Sequence, residues 1–135
     1  KMSEWIVDQV ILKMAKRKIN INNSKILLLG ISFKEDTNDI RNSRAFEVLK
    51  MLKEYKTNCT VFDPYVNTNE VKNQYNIDIV NNLNPNDKFD CVVVLLAHSL
   101  FREWDKDKWL SLIETDGIIY DCKGIVPREI GAERL

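Results

Sequence analysis

The chain reads as an α/β fold: a Rossmann-like three-layer sandwich with a mostly parallel sheet. Three observations predict it. Short, continuously apolar runs such as "KILLLG" (25–30) and the stretch 90–96 have the character of strands buried on both faces. Segments with apolar residues three and four apart lie between them, so strand and helix alternate. Polar and conformationally unusual residues collect just after the apolar runs, at the carboxyl ends of strands, where parallel sheets take their ligands.

The opening helix is predicted over residues 3–18. Ile6, Val7, Val10, Ile11 and Met14 share one face, and Ser3 stands as N-cap. Lys13, Lys16, Arg17 and Lys18 at its end answer the helix dipole. After the turn "INNSK" the first strand runs into Gly30. Ala45, Phe46, Val48, Leu49 and Leu52 give a second helix that ends near Tyr55, capped by Asn42 or Ser43. "CTVFDP" is a strand stopped by Pro64. "NTNEVKNQY" is a short helix and "IDIV" a brief strand. The apolar strand at 90–96 follows, and then the helices "SLFREW" and "DKDKWLSLIE", the second capped by Asp105. "GIIYDCKG" is the last strand and its exit. Trp5, Trp104 and Trp109 are assigned to helix packing.

Composition narrows the function. The 135 residues suit one domain, with 44% hydrophobic and 30% charged residues. Zero net charge argues against a general binder of nucleic acid or membrane surfaces. No run approaches the roughly 18 apolar residues of a membrane span, and no signal peptide is apparent. Cys59 and Cys91 sit in strand-like runs as buried thiols, and Cys122 is a structural thiol at a strand end. Their spacing offers no metal site and no disulfide framework, which fits a reducing compartment and a cytoplasmic protein. Helical pattern begins almost at residue 1, as if an N-terminal part of a longer chain preceded it.

The stretch "GISFKEDTNDIRNS" (30–43) follows the first strand and enters the second helix. Free N–H groups and the helix dipole favour an anion there. Arg41 adds a planar fork suited to phosphate, and Lys34 adds a mobile point charge. Asp36 and Asp39 cannot face the same phosphate. They orient Arg41, bond loop backbone or contact hydroxyls. Alternatively the whole stretch is a surface loop of ion pairs. A dinucleotide fingerprint would need G-x-G-x-x-G at this turn. Asp63 supplies the acid at the second strand end, but Ile31 and Ser32 stand where bare backbone is required, so NAD held in that manner is not expected.

These residues resemble a known family. Gly30, Phe33, Lys34, Asp39, Arg41 and Ser43 match G-x-x-F-K-x-x-x-x-D-x-R-x-S, and Asp63-Pro64 closes the next strand. With "LLAHSLF" and "YDCKG", the match resembles the C-terminal, UDP-binding domain of the UDP-glucose/GDP-mannose dehydrogenase family. The resemblance covers almost the whole chain. It implies that residues 1–22 are the end of the long interdomain linker helix and residues 23–135 the nucleotide-sugar-binding domain.

Such enzymes oxidise the C6 alcohol of a nucleotide sugar to a carboxylate, using two NAD+ and a covalent thiohemiacetal on a cysteine. By the resemblance, Phe33 and Lys34 contact the nucleotide sugar, Lys34 near a phosphate. Arg41 reaches across the cleft towards the NAD pyrophosphate, and Lys123 lies near the uridine end. Ala97, His98 and Phe101, as "AH-x-x-F", look like the branch acting on UDP-N-acetylhexosamines, UDP-GlcNAc or UDP-ManNAc, rather than UDP-glucose. His98, the one histidine, is read as structural and not catalytic. The implied partners are the UDP-sugar, NAD and the enzyme's own N-terminal domain, in a homodimer or larger assembly. The implied role is surface polysaccharide (capsule) synthesis in bacteria.

The sequence departs from the family in lacking both G-x-G-x-x-G and the nucleophile segment G-G-x-C-x-x-x-D. The catalytic cysteine and the NAD-binding domain are thus expected outside this chain, which by itself should not act as a dehydrogenase. A standalone nucleotide-binding or regulatory module without catalysis is the alternative. A flavodoxin-like signalling domain would need an acidic pocket and a phosphoacceptor Asp where Gly30 and Lys34 stand.

Overall fold

Helices and strands alternate along all 135 residues, which the computed structural model describes throughout. In order they are α1 (Met2–Lys16), β1 (Lys25–Leu29), α2 (Ala45–Glu54), β2 (Asn58–Phe62), α3 (Thr68–Tyr75), β3 (Phe89–Val94), α4 (Ser99–Arg102), α5 (Lys106–Ser111), β4 (Ile113–Asp121) and β5 (Glu133–Arg134), with a 3-10 turn at Arg128–Ile130. The strands form one sheet in the order β2-β1-β3-β4-β5. Every pairing is parallel. No helix is long and apolar enough to cross a membrane.

Successive strand residues point to opposite faces, so the apolar runs supply two cores. Ile26 and Leu28 of β1 pack in one core with Ile6, Val10 and Met14 of α1 and Val48, Leu49 and Leu52 of α2. Leu27 and Leu29 pack in the other with Phe101 of α4 and Trp109 of α5. That is the three-layer arrangement expected of continuous apolar strands.

Several local expectations are corrected. The first helix starts at Met2 with Lys1 in the N-cap position. Ser3 lies inside it, buried, and its hydroxyl donates to Glu47 Oε1 of α2 at 2.7 Å. A helix–helix bond has taken the hydroxyl that would have capped. The helix stops at Lys16, and Lys18 turns the chain with φ of 61°. "IDIV" forms only a single parallel bridge, Val80 to Phe62. Cys91 is buried, but Cys59 on the outer strand β2 is half-buried. At the second helix Arg44 takes the N-cap position, while the Ser43 hydroxyl accepts from Ala45 N–H at 3.2 Å. Asp105 caps α5 as expected, accepting from Lys108 N–H at 2.9 Å. The terminal 3-10 turn and β5 were not expected.

Candidate functional site

From β1 the chain crosses to β2 on one side, while β3 lies on the other. A crevice opens beyond the strand ends where the order reverses in this way. Gly30 permits it. Its φ is +93°, and a Cβ there would sit 2.7 Å from Leu96 Cβ. Only glycine lets the exits of β1 and β3 come this close.

A cleft of about 360 Å³ occupies the crevice, within the usual range of about 300–1,000 Å³ for ligand pockets. Gly30, Ser32 and Phe33 line it from the β1 exit, and Leu95 and Leu96 from β3. Cys122 and Lys123 follow β4, and residues 42–45 bring in the start of α2. Met2 and Ile6 of α1 and the terminal Leu135 complete it.

Two of the four expected site residues thus meet at the cleft. Phe33 lines it and is 53% exposed, an aromatic surface open to a ligand. Lys123 lines it with Nζ 3.9 Å from Glu35 Oε1. Lys34 and Arg41 do not line it and are exposed. The Arg41 side chain is 82% exposed and grips Asp39 through two bonds, Nε to Oδ1 at 3.0 Å and Nη2 to Oδ2 at 2.8 Å. These bonds hold the Asp39 carboxyl down at about 2. Asp39 therefore orients Arg41, one of the roles open to it from sequence.

The other acid of the turn does something different. Asp36, at φ of 59°, accepts from Ser99 N–H at 2.8 Å and from the Ser99 hydroxyl at 2.6 Å. Its own N–H donates to His98 Nδ1 at 2.9 Å. His98 Nε2 in turn lies 2.9 Å from Asp63 Oδ2. His98 and Asp63 are wholly buried. Asp63 also accepts from Ile31 N–H at 2.8 Å, Ser32 N–H at 3.3 Å and Tyr65 N–H at 2.9 Å. Burial would raise its carboxyl, but bonds from His98, Ile31 and Tyr65 outweigh that and leave it lowered.

This arrangement does not fit a dinucleotide cradle. The first two amides after Gly30 are committed to Asp63 rather than free for a pyrophosphate. Asp63 is buried and cannot reach a ribose hydroxyl. The turn keeps its shape through a carboxylate, where a fingerprint turn would use glycines.

A second buried carboxylate shapes the opposite lip. Asp121 Oδ1 accepts from Lys123 N–H at 3.0 Å and Gly124 N–H at 2.8 Å; Oδ2 accepts from Val126 N–H at 2.9 Å. Arg134 of β5 joins it at 3.3 Å and donates to Val126 O at 2.8 Å. The terminal strand thereby holds the loop that carries Lys123. Burial pushes the neighbouring Cys122 thiol up to about 12, so it is protonated and unreactive in this setting.

Sequence reasoning missed Arg44, whose guanidinium has no hydrogen bond or ion pair within the chain although it lines the cleft. Its place at the start of α2, directly after the motif's Ser43, was the available signal. Met2, Ile6 and Leu135 carry no local signal, because they reach the cleft only through tertiary packing.

Known proteins resemble this chain over nearly its whole length. It is 32% identical over 134 residues to UDP-N-acetyl-D-glucosamine 6-dehydrogenase of Salmonella typhi, covering 99% of this chain and 31% of that protein. It is 28% identical over 134 residues to the enzyme of the same name in Pseudomonas aeruginosa, covering 99% and 32%. The crystal structure of NDP-N-acetyl-D-galactosaminuronic acid dehydrogenase from Methanosarcina mazei Go1 superposes with a TM-score of 0.83 at 22% identity. It covers 98% of this chain and 28% of that one, and shows the shared fold. The chain thus spans about a third of the length of these curated relatives. The family model described as the UDP-glucose/GDP-mannose dehydrogenase family, UDP binding domain, matches residues 27–128. By that match, the chain belongs to the UDP-glucose/GDP-mannose dehydrogenase family as its UDP-binding domain.

Proposed function

We propose that this chain is the UDP-sugar-binding part of an NAD-dependent nucleotide-sugar 6-dehydrogenase in surface polysaccharide synthesis. The full enzyme oxidises the C6 alcohol of UDP-GlcNAc or UDP-ManNAc to the uronic acid with two NAD+. The observation that carries this reading is the cleft at the β1/β3 exits, with Phe33 and Lys123 on its walls, in a chain of this family.

Within it the chain's residues bind and orient. Phe33 offers an aromatic face to the nucleotide sugar. Lys123 gives positive charge at the uridine end, and Lys34 meets a phosphate from the rim. NAD supplies the hydride acceptor, bound mainly by the enzyme's own N-terminal domain. Arg41, its guanidinium bonded by Asp39, is this chain's contact with its pyrophosphate. Residues 1–22, helix α1 with the turn that follows it, are the end of the linker to that domain, and the assembly is a homodimer or larger in the cytoplasm.

Amide NMR of the chain during a UDP titration tests the binding reading. Shifts confined to Gly30, Phe33, Leu96 and Lys123 are expected. Shifts spread over the opposite end of the sheet, or none at saturating UDP, would overturn it.

A further inference from the structure

We propose that His98 is a positioning residue that clamps the ligand-bearing turn of residues 30–43 in shape. This rests on the reading of that turn as part of the UDP-sugar site. The stretch 33–39 has no helix or strand of its own. Its hydrogen bonds to the rest of the fold beyond the turn are all made at Asp36, to His98 and Ser99. The remaining bonds fold the turn on itself, such as Phe33 N–H to Asp39 O at 2.6 Å and Ser32 hydroxyl to Lys34 O at 2.8 Å. Asp36 adopts a left-handed conformation that non-glycine residues hold only when their surroundings impose it. Phe33 and Lys34 stand three and two residues before it.

The donor and acceptor pattern fixes how the clamp works. The Asp36 N–H can only donate, so His98 Nδ1 must offer its lone pair. The imidazole proton then sits on Nε2, where it meets the Asp63 carboxylate at 2.9 Å. Asp63 also takes the Ile31 and Ser32 amides. One buried ring therefore joins the start of the turn, through Asp63, to its middle, through Asp36. Tyr65 edge-on at 4.7 Å and Phe101 at 5.3 Å hold the ring's orientation. The "AH-x-x-F" pattern gains a physical meaning: histidine reaches the turn, and phenylalanine one helical turn later packs against it.

The test uses the chain's single histidine, whose imidazole nitrogens give one unambiguous set of NMR signals. A proton on Nε2 and a hydrogen-bonded, unprotonated Nδ1 are expected near neutral pH; the reverse tautomer would overturn the proposal. Two variants then separate the bonds. His98→Gln places an amide near the Nε2 position and abandons Asp36. His98→Asn places a carbonyl oxygen near Nδ1 and keeps Asp36. Exchange of the Asp36 amide should rise about tenfold in His98→Gln, with UDP affinity falling about tenfold. His98→Asn should restore both, and Val92 and Val93 amides of β3 should not change in either. Unchanged Asp36 exchange in His98→Gln would sink the proposal. So would loosening of Val92 and Val93 in equal measure, since His98 would then be only a core residue. If the unaltered chain takes no UDP, the uridine reading fails, and the Asp36 amide still decides whether the clamp exists. If His98→Asn does not fold, the tautomer and His98→Gln decide it.

Discussion

His98 Nε2 lies 2.9 Å from Asp63 Oδ2, with both side chains fully buried beyond the exits of β3 and β2, the strands on either side of β1. Asp63 is thereby the acceptor for a ring nitrogen and three backbone amides. Asp63→Ala would strand those donors in the interior and should cost about 3 kcal/mol or more. Asp63→Asn keeps one good acceptor and should cost about half as much. Urea denaturation of the two variants measures the difference. Equal and small losses would mean that the network does not hold the loops.

Acid should weaken the fold through the same carboxylates. Asp36, Asp39 and Asp63 all lie below the ordinary value of 3.8 in the folded chain, Asp39 at about 2. For Asp36 the bonds from Ser99 are the main cause; for Asp39, those from Arg41; for Asp63, bonds from His98, Ile31 and Tyr65 exceed the opposing effect of burial. A lowered folded value means that the unfolded chain binds more protons. Their stabilisation is therefore complete above about pH 5 and lost as pH falls through about 4 towards 2. Denaturation midpoints at about pH 7, 5 and 3, on either side of the usual carboxylate values near 4, should show little change over the first step and a clear drop over the second. Asp63→Asn should show a smaller drop.

Gly30→Ala should destabilise the fold and distort the cleft that Gly30 and Leu96 both line. A methyl group 2.7 Å from Leu96 Cβ, on a backbone at φ of +93°, demands movement of β1 or β3. A loss of about 2 kcal/mol or more is expected, visible as a lowered Tm. An unchanged Tm would show that the strand exits are freer to separate than this packing implies.

Charge at the rim should matter for ligands rather than for stability. Lys34 and Arg41 are exposed. Alanine at either should change stability by less than about 1 kcal/mol. Lys34→Ala should weaken UDP-sugar binding about tenfold, and Arg41→Ala should weaken NAD binding by the full enzyme about tenfold. Lys123→Ala should weaken UDP itself. Unfolding by Lys34→Ala or Arg41→Ala would reveal a structural ion pair mistaken for a ligand contact.

The layered fold was legible because its signals are local and repeated. "KILLLG" and the run at 90–96 are too apolar for an exposed strand, and Val48, Leu49 and Leu52 mark a helix face. The place of the cleft followed from the strand ends. The polar interior was not legible. Asp36 and Asp63 each look like ordinary turn residues, and nothing nearby in sequence says that a histidine 62 and 35 residues away joins them. Ser3 was misread for the same reason: its partner, Glu47, lies 44 residues off. The contribution of Arg134 to the Lys123 loop again needs a long-range contact.

The central claim is that this chain carries the uridine-nucleotide half of the site. Calorimetric titration with UDP, UDP-GlcNAc, GDP and NAD+ at low salt tests it most directly. Saturable heat with UDP and UDP-GlcNAc, weaker heat with GDP and NAD+, and loss of the UDP signal in Lys123→Ala are predicted. GDP or NAD+ binding as tightly as UDP, or no heat with either uridine ligand, would contradict it.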